Sequence, residues 1–459
     1  MIKLRARNTN SMLPVYSSAS ASSSGLDTRK QLCFWSAVVI SYVLLRRLSL
    51  YTFDVILART SGYLHAHLVL VRYGVKAEFF YVPLNIVLYP STCKLLSSFC
   101  SEKLGKLFLL VFLLVRHLAL FTVAIAHYCP LPLPVNYVIW IIFGLWFHVV
   151  TFLLACCLCN AIQLSLAFCR TRQSINCCHL RILPTTTQTV YCMILSVIVC
   201  ILCMLQAHHP QVKHMDVHLE RFPEAAEGLK IAVLSDIHLG PTVSVRQVNH
   251  MIDLTLAEQP DLILMVGDLM DGHLELFPGV LSALSRLKAR HGVWYVTGNH
   301  EYYFGIIDDW LREMATIGIQ PLRNTHAMVA GICLVGVDDI TANRLKIPGH
   351  HMNATKAMAN CPAKAPVIAM AHRPEAAQQL LQQFDIDLIL SGHTHAGQLY
   401  VLAPVVYLIM PYFHGLYEMK TTDGRNHTSK VFVSAGVYYW GTPMKMLGYS
   451  EIPILTLLH

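Results

Sequence analysis

Leu229-Lys-Ile-Ala-Val-Leu-Ser-Asp236-Ile-His238-Leu-Gly240 joins an apolar, β-branched run to an acid and a histidine one residue apart. The run Leu229 to Leu234 reads as a buried strand, which puts Asp236 and His238 in the loop at its carboxyl end. Four later stretches repeat the design. Leu262 to Val266 leads into Gly267-Asp268, and Val293 to Val296 into Gly298-Asn299-His300-Glu301. Val367 to Met370 leads into Ala371-His372, and Leu388 to Leu390 into Gly392-His393-Thr-His395. Open α/β sheets build their sites at the carboxyl ends of strands. Glycines before Asp268, Asn299 and His393 suit turns where the chain must come close to an ion.

Asp236, His238, Asp268, Asn299, His372, His393 and His395 are carboxylate, amide and imidazole donors. Two hard or borderline divalent cations about 3.5–4 Å apart need such donors, with one carboxylate shared, whereas thiolates select softer ions. No cysteine lies in the five blocks. Any one block has a plain alternative: a turn for Asp-x-His or Gly-Asp, a helix N-cap for Asn299, first-turn charge for Glu301. The order of all five points to a metal centre. Asp338 and Asp339, after the strand-like Leu334 to Val337, either line the cleft or serve as acidic turn residues. His273, His350, His351 and His414 read as surface or cleft histidines without a metal role.

The D-x-H, G-D, G-N-H-E, lone-His and G-H-T-H blocks, spread over 235 to about 441, resemble the calcineurin-like metallophosphoesterase superfamily. That resemblance implies that Asp236, His238 and His395 hold one metal and that Asn299, His372 and His393 hold a second, with Asp268 bridging them. It makes His300 the catalytic histidine, in a two-metal bridging-hydroxide hydrolysis of a phosphoester. Mn, Fe or Zn all suit these donors. Arg373 and Lys445 depart from the family pattern. The implied fold for 209–459 is an α/β metallophosphoesterase domain, a two-sheet β-sandwich flanked by helices. A metal-binding scaffold without activity is the alternative, and it would be expected to lack a bridging ligand or His300; both are present.

The front of the chain is a different material. Residues 1–208 carry 17 Lys and Arg against 4 Asp and Glu, while 209–459 carry 18 against 23. The overall charge of +8 therefore averages two unlike parts, and no nucleic-acid partner is expected. Thirteen of the 15 cysteines also precede residue 209 and read as small apolar side chains, since no C-x-x-C pair repeats at zinc spacing. Val135 to Cys159 runs 25 residues without a formal charge, and Val190 to Leu205 is a second clean run. Both have bilayer length. Leu104 to Ala126 is a third, with Arg116 and His117 facing other helices and no evident acidic partner. Leu32 to Leu45, extended by Ser49 to Val55, and Phe79 to Tyr89 complete an expected set of about five spans, four being the alternative.

The expected organisation is a disordered tail at 1–31, a multi-pass α-helical membrane region at 32–208 and the hydrolase domain at 209–459. A transporter built on the helices would want paired ionisable residues within the spans. The Ser-rich, Arg-rich start faintly resembles a mitochondrial transit segment, a disordered tail being preferred. Basic residues in 91–106 and 160–189 place those loops in the cytosol and the domain on the lumenal or extracellular side, although the basic 46–78 segment argues against this. Sequons at Asn353 and Asn426, and Cys333 and Cys361 as a possible pair, agree with that side. Leu399 to Tyr417 forms either a lip that dips toward the lipid bilayer and admits an amphiphilic phosphoester, or a strand and loop of the second sheet.

Overall fold

A computed structural model describes residues 23–60, 62–125, 131–171, 182–304, 307–420 and 427–459. The tail through residue 22, Arg172, Arg181 and Asn426 lie outside the described residues. The chain divides into two compact units, Met1–Ile56 and Leu57–His459. The first holds most of helix α1 (Ser23–Leu57).

The second unit opens with five helices: α2 (Gly62–Tyr81), α3 (Asn85–Leu96), α4 (Glu102–Ile125), α5 (Leu133–Thr171) and α6 (Thr186–His208). Among the described residues three stretches, Glu102–Thr122, Leu133–Ala167 and Thr186–His208, are long and apolar enough to cross a membrane. The expected stretch Phe79 to Tyr89 is not one helix. It straddles a 3₁₀ turn at Val82–Leu84, where Pro83 has no N–H to donate to a continuing helix. Arg116 does have an acidic partner, contrary to the sequence reading. Its Nη1 donates to both oxygens of Glu78 on α2 at 2.8 Å, and His117 Nδ1 reaches the same carboxylate. The guanidinium also lies 4.2 Å from the Trp146 ring centre on α5, so one buried cation ties three helices.

Twelve strands follow in the described residues: β1 (Gln211–His218), β2 (Leu229–Leu234), β3 (Leu262–Val266), β4 (Val293–Val296), β5 (Ile319–Pro321), β6 (Thr325–Val329), β7 (Ile332–Gly336), β8 (Val367–Met370), β9 (Leu388–Ser391), β10 (Gly415–Lys420), β11 (Thr428–Val433) and β12 (Glu451–Leu458). They form two six-stranded mixed sheets, ordered β1-β12-β2-β3-β4-β5 and β10-β11-β9-β8-β7-β6. Strands β2 to β5 run parallel, as do β7, β8, β9 and β11. Period-two alternation divides each strand between two cores. Ile231, Val233, Leu262 and Leu264 meet Leu334, Ile368, Leu388 and Leu390 between the sheets. Ala232, Leu234, Ile263 and Met265 face outward under helices such as α7 (Val245–Ala257). Helices cover the second sheet likewise, where Cys333 is disulfide-bonded to Cys361.

The domain is seated directly on the helices. Only two residues separate the end of α6 at His208 from the start of β1 at Gln211. Lys445 N–H donates to Cys203 O on α6 at 2.9 Å, and Leu399 and Met444 pack with Cys200 and Cys203. On α5, Trp140 lies tilted against Trp440 with ring centres 5.9 Å apart, and Gly144 faces Thr442 and Met444 so closely that a Cβ would come within 2.6 Å of both. Gly144→Val is therefore expected to cost about 1–3 kcal/mol through overpacking. It should lower the Tm of the detergent-solubilised chain and open the 440–448 segment to protease, whereas an unchanged Tm would show that this contact is not close-packed.

Candidate metal centre

The five expected donor loops converge at one end of the seam between the sheets. Strands β2, β3 and β4 deliver Asp236, Asp268 and Asn299 from the first sheet; β8 and β9 deliver His372 and His393 from the second. Three overlapping groups have ligand atoms within 4.8 Å of one another: Asp236, His238 and His395; Asp268, His372 and His393; and His238, Asp268 and His300. Asp268 Oδ2 stands between the first two, 3.7 Å from His238 Nε2 and 3.0 Å from His372 Nε2. Asp236 Oδ1 is 3.3 Å from His395 Nε2.

The backbone records how tightly the donors are drawn in. Asp236, His238, Asp268, His393 and His395 all have φ between +49° and +70°, a region that costs a side-chain-bearing residue about 1–3 kcal/mol. Glycine enters for two different reasons. Gly267 needs its φ of +79°, whereas Gly392 has no such need: its α-carbon is pressed against Ser235 and Asp236, leaving no room for a Cβ.

Each donor atom can be tested for what it lacks. His372 Nδ1–H donates to Val266 O at 2.7 Å, which leaves Nε2 to face Asp268. Although 3.0 Å from that carboxylate, it makes no hydrogen bond of good geometry. Asn299 Oδ1 is likewise buried without a donor among the described residues. His238 Nδ1 is held by Asp271 Oδ1 at 3.1 Å, so its Nε2 turns toward His395 Nε2, 3.0 Å away. Lone pairs converging on carboxylate oxygen repel unless a cation lies among them. Oxygen and imidazole donors without a thiolate fit divalent Mn, Fe or Zn.

Protonation tendencies agree with that reading. Burial would raise the carboxyls of Asp236 and Asp268, but the surrounding imidazoles outweigh it and hold both below the usual range. Burial, joined by Arg373 and His372, keeps His393 neutral, and burial pushes His395 down to about 4. Burial opposes charge on His372 too, yet Asp268 pulls it up to about 10. A proton is attracted where a metal cation would compete for it.

Two residues unforeseen as parts of the centre brace it. Asp271 Oδ1 accepts from His300 Nδ1 at 2.6 Å as well as from His238; burial works against its charge, but His300 and His238 hold its carboxyl down at about 2. Glu301 is more than first-turn charge. Its buried carboxylate accepts from the amides of Asp268, Leu269 and Gly298, fixing two donor loops together. The Asp271 signal was its position three residues beyond Asp268 beside Gly272. His300 itself stands against Trp440, Tyr303 and Phe304.

The remaining candidates find their hydrogen-bond and ion-pair partners outside the donor set. Asp338 pairs with Arg323 at 2.8 Å, while Asp339 caps Thr341. His350 contacts Asp308 and Tyr302, and His414 contacts Glu451. Arg373 pairs with Glu375 at 2.6 Å. Lys445 is fully buried and donates to Gly436 O and Tyr438 O, which steadies the loop whose Tyr438 N–H reaches Asp236 O at 3.3 Å. Leu399 to Leu408 forms no strand: a short helix at Ala403–Ile409 exposes Tyr407, Leu408 and Ile409, while Tyr412 is buried in the second-sheet core.

Comparison with known proteins agrees with this geometry. Residues 229–397 match the family model for the calcineurin-like phosphoesterase. It is 38% identical over 279 residues to the Danio rerio transmembrane protein with metallophosphoesterase domain, covering 59% of this chain and 62% of that one. The Bos taurus protein of the same name is 39% identical over 262 residues, covering 55% and 58%. A Helicobacter pylori metallophosphoesterase is 35% identical over 249 residues, covering 54% and 64%. The chain thus spans about three fifths of the length of these relatives.

Asp271→Asn removes the carboxylate behind His238, and loss of such an outer partner costs about 10–100-fold in metal affinity. Asp268→Ala should cost more. Metal content of the purified full chain after dialysis against graded chelator reads both, and wild-type retention in Asp268→Ala would rule out this centre.

Proposed function

We propose that the calcineurin-like phosphoesterase domain of this chain is an active, metal-dependent phosphoester hydrolase held at a membrane by the helices ahead of it. The observation that carries the reading is the convergence of unpaired imidazole and amide donor atoms on two buried carboxylates. Two divalent cations, Mn, Fe or Zn, are assigned to it. Asp236, His238 and His395 would hold one, and Asn299, His372 and His393 the other, with Asp268 between them. Cations bound there acidify water and neutralise phosphate charge.

The chain's own residues supply the rest. Asp271 fixes His300 through Nδ1, so Nε2 is the atom free to act as a proton donor. In hydrolysis a water oxygen bonds to phosphorus and loses a proton to solvent, the P–O bond to the alcohol breaks, and His300 gives its proton to the departing oxygen and is reprotonated from solvent. Trp440, Tyr303 and Phe304 shield that transfer from bulk water. The scaffold alternative has less support, because every expected donor and His300 are retained.

For location, the proposal is a membrane protein with the domain on the lumenal or extracellular side. Ala119 of α4, Ile139 and Trp140 of α5 and Cys203 of α6 sit at the domain end of their helices. The opposite end of α4 carries Lys103 and Lys106, and Lys94 lies in the last turn of α3 just before it, the charge expected to stay in the cytosol. The Cys333–Cys361 disulfide favours an oxidising compartment.

His300→Ala is expected to lower kcat by about 10²–10⁴-fold while leaving metal content near wild type. The assay uses the full chain in detergent, loaded separately with Mn, Fe and Zn, on p-nitrophenyl phosphate and its bis ester. Metal-dependent turnover that survives the substitution would remove His300 from the mechanism; no turnover from any loaded form would favour the scaffold.

A further inference from the structure

Beside the metal centre, a cavity of about 310 Å³ lies between the start of α5 and the loops that follow β2 and β3. Its walls are mainly apolar and come from both sides: Leu133 from the helix, Val243, Leu276 and Phe277 from the domain. Three polar side chains interrupt them, Asp271, Asn136 and Ser244, the last already donating its hydroxyl to Gln247 Oε1 at 3.2 Å. Asp271 is the carboxylate that holds both His238 and His300, so the cavity adjoins the groups assigned to metal binding and proton transfer.

Asn136 is 2% exposed. Its amide N–H donates to Leu131 O at 2.9 Å, but its Oδ1 is buried with no donor among the described residues. An unmet buried acceptor costs about 1–3 kcal/mol and calls for a specific explanation. Next to it, Leu133 is 43% and Val135 is 45% exposed, at the domain end of a bilayer-length helix. Apolar walls that include the start of a bilayer-length helix, one unanswered acceptor and, through Asp271, the assigned metal centre alongside suit one kind of occupant.

We infer that this cavity receives the alcohol half of an amphiphilic phosphoester drawn from the bilayer. An apolar chain lies against Leu133, Leu276 and Phe277, and a hydroxyl or amide on that half donates to Asn136 Oδ1. The inference rests on the phosphoesterase reading above and specifies its substrate class. The volume is at the lower end of the range for small-molecule sites, enough for the part of the chain nearest the ester while the remainder stays in lipid. A second cavity of about 180 Å³, lined by Leu70, Tyr73, Leu120 and Trp440, is separated from His300 by the Trp440 ring.

The test uses the metal-loaded full chain in mixed micelles with three esters: 1-acylglycerol 3-phosphate, hexadecyl phosphate and p-nitrophenyl phosphate, each as the monoester and its methyl diester. Wild type is expected to favour the acylglycerol ester in kcat/KM. Asn136→Leu should lower the ratio of acylglycerol to hexadecyl turnover about tenfold, the factor carried by one hydrogen bond of ordinary strength. Leu276→Trp, which fills the cavity, should lower both lipid esters at least tenfold relative to p-nitrophenyl phosphate, whose turnover also reports that the variant is folded. Lipid esters hydrolysed no better than p-nitrophenyl phosphate, or ratios unmoved by both variants, would overturn the cavity assignment and leave the phosphoesterase standing. No hydrolysis of any ester by wild type would overturn both.

Discussion

A cluster of carboxylates and imidazoles buried in the seam between two sheets is the constraint that governs this molecule. Two buried aspartates a few ångström apart cannot both keep their charge without cations or protonated imidazoles among them. The surroundings make that arrangement possible. Short parallel strands end at a common level, five donors accept left-handed backbone, and Glu301 binds the amides of two separate loops. The two sheets between them bury enough aliphatic surface to hold this polar knot in place.

The knot is continuous with its supports in the membrane helices. His300 packs on Trp440, Trp440 lies near Trp140 of α5, and Phe143 of the same helix shares a core with Phe304. From the other flank, Lys445 connects the loop behind Asp236 to the backbone of α6. The helices are thus part of the wall of the centre as well as its carrier. Their own packing is fixed by the Glu78–Arg116 pair, costly to open in a low-dielectric layer.

Much of this could be read from sequence because each candidate donor follows an apolar, β-branched run with hardly a residue between. Strands β2, β3, β4 and β8 begin and end where those runs do, and β9 differs by one residue. Elsewhere local signals failed. Asp271 looks like any acidic loop residue until its two histidines are brought to it from 33 and 29 positions away. Glu78 lay in a helix whose charges hid it, 38 residues from Arg116. Ala403–Ile409 carries β-branched residues that suit a strand as well as a lip, but Pro404 in its first turn suits the start of a helix.

The two-residue join between α6 and β1 sets the domain's reach. A hydrolase on a long linker sweeps a volume and meets its substrate at a rate governed by bulk concentration. One bolted to its anchor at fixed height and fixed tilt samples a thin layer. Its encounters are two-dimensional, set by how many target molecules share each unit of surface, and diluting the surrounding solution leaves them unchanged. Molecules in a facing membrane are beyond it, however abundant they are.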